Sequence, residues 1–239
     1  MSGWLFDLGN TRLKSAESRT DGSLGEVRAV AHDDGDGWLR DLPRGDAACI
    51  ASVASSERRV ALLDALCTRF GRIHLVRTQA RCAGLRIAYG NPRHLGVDRF
   101  LALLSALENG EVLLAGIGTA LTIDLLDGDG LHRGGRIAAS PMLMREALHA
   151  RAAVLAETGG EYAEFADDTA HALASGCEGA ALALIERSLE RATALLGTRP
   201  ALWLHGGGAE ALRERLPPHR WVPDAVLRGL AHWQAHAFA

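Results

Sequence analysis

"FDLGNTRLK", residues 6–14, is the stretch from which the rest of the chain is read. Apolar residues lead into a Gly-Asn pair and an alternating run leaves it. This pattern predicts a strand at 4–6, a tight turn at Gly9-Asn10 and a returning strand over 11–18. A turn built from Gly9, Asn10 and Thr11 exposes successive backbone N–H groups at a concave tip. Such a nest suits phosphate oxygens, and glycine lets the backbone come close. Thr11 adds a hydroxyl, and Asp7 is placed to hold Mg²⁺ directly or through water. Lys14 brings a compact ammonium to the same phosphates. It is the single lysine among 26 basic residues, and a larger, forked guanidinium does not fit where an ammonium enters a tight turn. For this stretch alone, an ordinary hairpin closed by an Asx-type turn is the alternative.

Working outward, strands are expected at 24–31, 47–53 and 72–76. A helix over 56–70 places Val60, Leu63, Leu66 and Cys67 on one face. A second amphipathic helix, 93–108, ends at Asn109-Gly110. Strands at 111–117, 120–126 and 131–137 then follow, joined by turns at Gly118-Thr119 and Gly128–Gly130. Helices are expected at 141–157, 168–196, 209–216 and 224–237, with a strand at 201–205 entering the Gly206-Gly207-Gly208 run. Residues 33–37 and 159–160 read as exposed loops. Strand, polar Gly turn, strand, Gly-rich turn, strand occurs in both halves, which suggests an internal duplication of β-β-β-α units.

That repeat bears on the first turn. "GIGTALTID", residues 116–124, repeats its chemistry with Gly118, Thr119 and Thr122. Two such hairpins suit a phosphate clamp between lobes. "LHGGGAEAL", residues 204–212, follows a strand and opens a helix, which suits the nucleoside end of a nucleotide.

Bulk properties narrow the class. With 26 basic and 29 acidic residues, the net charge of −3 gives no basic stripe for nucleic acid. Cys49, Cys67, Cys82 and Cys177 are far apart, without metal-ligand spacing, and read as reduced, mostly buried thiols. His132, His149 and His171 also lack ligand spacing and read as surface or core residues. Asp7 and Asn10 interrupt any signal-like start, and no apolar run reaches membrane-spanning length. The expectation is a soluble, cytoplasmic globule.

The order of these pieces resembles the nucleotide-binding superfamily of acetate and sugar kinases, Hsp70 and actin. "YGNPRHLGVDRF", residues 89–100, looks like the Tyr-x-x-Pro-x-x-Leu-Gly-x-Asp-Arg segment of type III pantothenate kinases. The Asp-x-Gly-Asn-Thr start with its lysine, the Gly-Thr-Ala-x-Thr turn and Gly134-Gly135 match that family in order. The resemblance implies an α/β fold of duplicated ribonuclease H-like lobes, each a mixed sheet flanked by helices, with the active site in the cleft between them. It implies an N-terminal lobe over 1–92, a C-terminal lobe over 93–239, and a homodimer. The implied reaction is ATP-dependent phosphorylation of pantothenate, the first step of coenzyme A biosynthesis. Asp7, Gly9, Asn10, Thr11 and Lys14 would hold ATP, with Asp7 also the Mg²⁺ ligand, and Gly118 and Thr119 would contact ATP from the second lobe. Asp98 would be the catalytic acid–base. Tyr89, Gly96, Val97, Asp98, Arg99 and Thr169 would line the pantothenate pocket.

Blander readings stand beside these. Asp98 can simply open a helix, where acids are favoured. Tyr89 can be a core aromatic and Thr169 a plain N-cap. A sugar kinase of the same superfamily, or a nucleotide-binding regulator of the transcriptional-activator type, are the competing functions. Two positions depart from the family. Gly116 stands where an aspartate serving a monovalent cation is usual, and Ala139-Ser140 replaces the Pro-Gly after Gly134-Gly135, with Pro141 displaced. The first departure implies no need for potassium at that position, and the second a differently shaped loop.

Overall fold

The computed structural model describes residues 3–32 and 35–238. Of the expected loop at 33–37, Asp33 and Asp34 lie outside the described residues, and the rest begins a 3₁₀ turn, Gly35–Leu39. The chain forms two compact units. The first comprises residues 1–109, 128–133 and 224–239, and the second 110–127 and 134–223.

In the first unit, β1 (Gly3–Leu8) and β2 (Arg12–Ser18) make the expected hairpin, antiparallel, with Asp7 directly opposite Lys14. β3 (Arg28–Ala31) adds to β2, starting later than expected, with Leu24 making only an isolated bridge to Ser18. β4 (Gly45–Ser52) runs parallel to β1, α1 (Ser56–Cys67) follows, and β5 (Phe70–Leu75) runs parallel to β4. The two-residue strands β6 (Arg81–Cys82) and β7 (Leu85–Arg86) pair with each other and were not expected. α2 (Val97–Ala106) leads the chain into the second unit.

There, β8 (Val112–Ile117) and β9 (Ala120–Leu126) form the second hairpin, antiparallel, and β10 (His132–Ala139) joins β9. α3 (Pro141–Arg151) and α4 (Thr169–Leu196) precede β11 (Ala201–His205), which runs parallel to β8. β12 (Arg220–Trp221) runs parallel to β11, and α5 (Ala225–Ala237) returns to the first unit.

The two sheets have the same order, β3-β2-β1-β4-β5 and β10-β9-β8-β11-β12. Each has an antiparallel hairpin at its centre and parallel strands on the other side, so the duplication is one of topology. The repeats differ in their helices. Among the described residues, the first has only the 3₁₀ turn between its third and fourth strands, where the second has α3 and α4. These mixed sheets flanked by helices are the expected fold class.

α1 departs in part from its expected face, of which Leu66 and Leu63 pack on the core. Leu62 and Leu66, one turn apart, are fully buried, whereas Val60 is 54% exposed and Cys67 is exposed. The helix ends at Cys67, because Phe70 is needed for β5 and packs edge-on against Phe6. Around them lie Leu8, Leu13, Ile50 and Trp38, a core in which each fully buried large side chain contributes about 1.5–3 kcal/mol. α2 is shorter than expected at both ends. Pro92–His94 forms a 3₁₀ turn, and extended Gly96 (ψ 138°) starts the helix afresh. It packs against α5 and β4 in the first unit, although both helices read from sequence as parts of the C-terminal lobe. At their crossing a Cβ on Gly229 would lie 1.8 Å from the Leu101 carbonyl oxygen, so only glycine allows this approach.

In the second unit α4 lays Ala181, Ile185, Leu189 and Ala192 against Leu113, Ala115, Ile123 and Leu125 of the sheet. Asp168, not Thr169, caps α4, accepting from the amides of Ala170 and His171 at 2.8 and 3.0 Å. α3 stops at Arg151 rather than 157, because Ala152 (φ −143°, ψ 87°) leaves helical geometry. The expected helix at 209–216 is a 3₁₀ segment, Glu210–Arg215, followed by two prolines that prevent its continuation.

Candidate active site

The first hairpin places its polar residues at one end of the β1–β4 sheet. Asp7 and Lys14 face each other across the strands, and both are half-buried. Loss of hydration pushes the Asp7 carboxyl up from 3.8 to about 7; Lys14 opposes the rise, and the charge of Asp98 adds to it. Asp7 and Asp98 therefore lie within electrostatic reach of each other, though they are far apart in sequence. Both acids lie in the first unit.

Asp98 stands in the first turn of α2, and its place explains Gly96. A Cβ on Gly96 would lie 2.5 Å from Asp98 Oδ1, so the carboxylate folds back over the bare glycine backbone. Gly96 is also the N-cap of the helix. Val97 beside it is buried in the helix's inner face. Arg99 is 5% exposed, and its Nη1 donates to the Tyr89 hydroxyl at 3.3 Å. Tyr89 is therefore half-buried but not a plain core aromatic: its hydroxyl is held by a buried guanidinium.

Sequence reasoning left His132 as a surface or core residue. It is fully buried, and its ring stacks on Tyr89 at 5.9 Å with 22° between planes. Its position just ahead of Gly134-Gly135 was the available signal. Sequence reasoning also missed two groups at the first turn. His32 Nε2 lies 3.1 Å from the Gly9 carbonyl oxygen, and Arg58 donates to the Asn10 carbonyl.

The second hairpin is built the same way in its own unit. Gly118 and Thr119 are exposed at the tip, and the Gly118 amide donates to the Ala120 carbonyl at 2.9 Å. Ser140, 1% exposed, donates to the Thr119 carbonyl at 2.9 Å and also caps α3 by accepting from the Leu143 amide. The Ala139-Ser140-Pro141 departure thus supplies both a helix cap and a tie to the turn. The glycine run after β11 packs on the end of β8, with the Gly208 amide donating to the Ile117 carbonyl at 2.9 Å.

Gly116 has a definite neighbour. A Cβ there would lie 2.6 Å from His205 Cε1 and Nε2 and 2.8 Å from Thr122 Oγ1. An aspartate at 116 fits only if the imidazole swings away. Thr169, the first residue of α4, is exposed in the second unit. Beside it Asp168 pairs with His171, and the His171 amide foremost holds that carboxyl below its ordinary value.

Among the described residues, no three His, Cys, Asp or Glu side chains cluster to hold a metal ion. A single carboxylate such as Asp7 matches Mg²⁺ bound largely through phosphate oxygens and water. The desolvation that disfavours its ionised form is what a cation would offset. No helix among the described residues is long and apolar enough to cross a membrane.

Known proteins resemble this chain over most of its length. Residues 4–191 match the family described as type III pantothenate kinase. A type III pantothenate kinase of Stenotrophomonas maltophilia (strain K279a) is 57% identical over 241 residues, covering 99% of this chain and 98% of that protein. Another, from Xanthomonas campestris pv. campestris (strain B100), is 55% identical over 243 residues and covers 100% of both. Among solved structures, a Campylobacter jejuni protein ascribed to the Baf family of transcriptional activators aligns with a TM-score of 0.63 at 17% identity. That alignment covers 95% of this chain and 94% of the other. At that identity the likeness is one of fold.

Proposed function

The chain belongs to the type III pantothenate kinase family, and on that premise we propose that it transfers the γ-phosphoryl group of ATP to the primary hydroxyl of pantothenate. The observation that carries the reading from family to residues is geometric. Asp7 sits opposite Lys14 at the first turn, and the Asp98 carboxylate at the head of α2 folds back over Gly96. A carboxylate for the acceptor alcohol and charges for the phosphates thus share one unit.

Phosphoryl transfer passes through a loose transition state, so the protein's contribution is positioning and charge balance. Asp98 accepts a hydrogen bond from the acceptor hydroxyl and takes its proton late, because a carboxylate is too weak a base to form the alkoxide beforehand. Gly96 leaves that carboxylate room. Tyr89, with its hydroxyl held by Arg99 and its ring backed by His132, forms the wall of the pantothenate pocket beside Val97, and Thr169 is a pantothenate contact that the family resemblance alone adds. Lys14 and the amides of Asn10 and Thr11 bind phosphate oxygens, Gly9, whose own amide donates to the Arg12 carbonyl at 3.1 Å, lets the backbone come close, and Gly118 and Thr119 bind ATP from their own turn. Asp7 would hold Mg²⁺, which supplies charge neutralisation at the phosphates when bound.

The enzyme works without a potassium site at Gly116, because glycine brings no carboxylate to that position. It is a cytoplasmic homodimer that binds neither nucleic acid nor membrane. The net charge of −3 supports the first absence. Exposed Ile137, Met142, Leu148, Val154 and Phe165, all in the second unit, support dimerisation by offering apolar surface to a second copy.

The test is a coupled assay with pantothenate, ATP and Mg²⁺, with hexoses as alternative acceptors. Formation of 4'-phosphopantothenate supports the reading. Phosphorylation of hexose instead, or ATP binding with no phosphopantothenate formed, contradicts it.

A further inference from the structure

We propose that His32 and Arg58 are positioning residues for the nucleotide, aiming the amides of the first turn at its phosphates. The inference rests on the reading of Gly9, Asn10 and Thr11 as the phosphate-binding turn.

Each carbonyl of that turn meets a donor. The Gly9 oxygen lies 3.1 Å from His32 Nε2, and because a carbonyl only accepts, Nε2 carries the hydrogen. The Asn10 oxygen accepts from Arg58 Nη1. The Thr11 oxygen accepts from the His32 backbone amide at 3.1 Å. In a trans, planar peptide the C=O of one residue and the N–H of the next point in opposite directions. Cis peptides are absent among the described residues. Holding the Gly9 and Asn10 carbonyls therefore fixes the Asn10 and Thr11 amides, pointing away from His32 and Arg58. Among the described residues, neither amide meets a backbone acceptor in the turn.

The His32 ring is itself fixed, and Arg58, although exposed, starts from a fixed backbone. His32 is 8% exposed, and its ring meets Trp38 edge-on at 4.8 Å and 69°. Arg58 stands in the first turn of α1, and its amide is bound by the Ser55 cap. Packing against Trp38 alone would accept an apolar ring at 32, so the imidazole's donor calls for another reason. Without these ties the Gly9–Asn10 peptide is free to rotate, since glycine tolerates many conformations. A rotated peptide presents a carbonyl where a phosphate oxygen must bind, so the ties preorganise the site.

Steady-state kinetics of the full chain test this. His32→Phe keeps a ring against Trp38 and removes the donor, whereas His32→Gln keeps a donor of similar reach. His32→Phe and Arg58→Ala should each raise KM for ATP about tenfold, the upper range for one lost hydrogen bond. KM for pantothenate should stay within about twofold, as removal of ATP-side binding alone requires. His32→Gln should recover most of the loss. A residue that only packs the core would lower Tm and leave the ratio of the two KM values unchanged. Unchanged KM for ATP, an equal rise for both substrates, or His32→Gln as impaired as His32→Phe overturns the proposal. If His32→Phe does not fold, unchanged KM for ATP in Arg58→Ala and His32→Gln overturns it equally. Lys14→Ala separates the two layers. No change in KM for ATP in that variant removes the phosphate turn itself and the proposal with it; a rise there, with no effect at 32 or 58, removes only the positioning role.

Discussion

Asparagine at position 7 should stabilise the free protein above neutral pH while impairing its catalysis. The Asp7 carboxyl holds its proton to about 7 in the folded chain but releases it near 3.8 when unfolded. Between those values the folded state binds more protons than the unfolded one, so stability falls as pH rises and stays low above about 7. A displacement of that size corresponds to about 4 kcal/mol at ~1.4 kcal/mol per pH unit. Partial solvent access of the side chain brings the expected effect to about 2–4 kcal/mol. Asp7→Asn removes the titration, so its stability relative to wild type should rise by that amount from pH 4 to pH 8. Urea unfolding at both pH values, without nucleotide or divalent cation, measures it. Comparing the same pair of proteins at two pH values cancels every contribution of the substitution that does not titrate. Adding Mg²⁺ and ATP at pH 8 should narrow the gap, because the cation offsets the charge. A stability difference that does not vary with pH, or a wild type that gains on the variant toward pH 8, would refute the assignment of Asp7 as a desolvated carboxylate.

The other predictions concern the same site. Lys14→Arg should raise KM for ATP with Tm unchanged, because the forked guanidinium is too large for the turn; unchanged ATP kinetics would count against it. Gly96→Ala places a methyl 2.5 Å from Asp98 Oδ1, so kcat should fall by about tenfold or more while Tm stays near wild type. Thermal unfolding and kcat measured on one preparation decide that. Turnover in K⁺ and in Na⁺ should be equal within experimental error, given that Gly116 brings no carboxylate; a steep preference for K⁺ would contradict it.

Much of the architecture could be read locally. The strands Ala120–Leu126 and Ala201–His205 are bounded in sequence as in space, because glycine turns border both β-rich runs. The first hairpin is legible for the same reason, but its register is not: a two-residue Gly9-Asn10 turn sets Asp7 opposite Arg12, whereas the observed register sets it opposite Lys14. The expected face of α1 holds at Leu66 and partly at Leu63 but not at Val60 and Cys67, because its apolar residues are spread around the helix and only the sheet beneath chooses Leu62 as well. β6, β7 and β12 have two residues each, too short for any periodicity to register. The tail of the site was legible as motif but not as physics. Gly96 looks like a helix-start glycine until the Asp98 carboxylate is seen folded over it. His32 and Arg58 reach the first turn from 23 and 48 residues away, and no local pattern encodes such contacts. The same holds for the mutual effect of Asp7 and Asp98, which exists only after β1 and α2 share a unit.

The central claim is that Asp98 handles the acceptor's proton while other groups hold the nucleotide. Turnover and ATP affinity of Asp98→Asn, measured together, test it most directly. The account predicts kcat lower by about 10²–10⁴ with the Kd for ATP little changed. Near-wild-type turnover in that variant would contradict it.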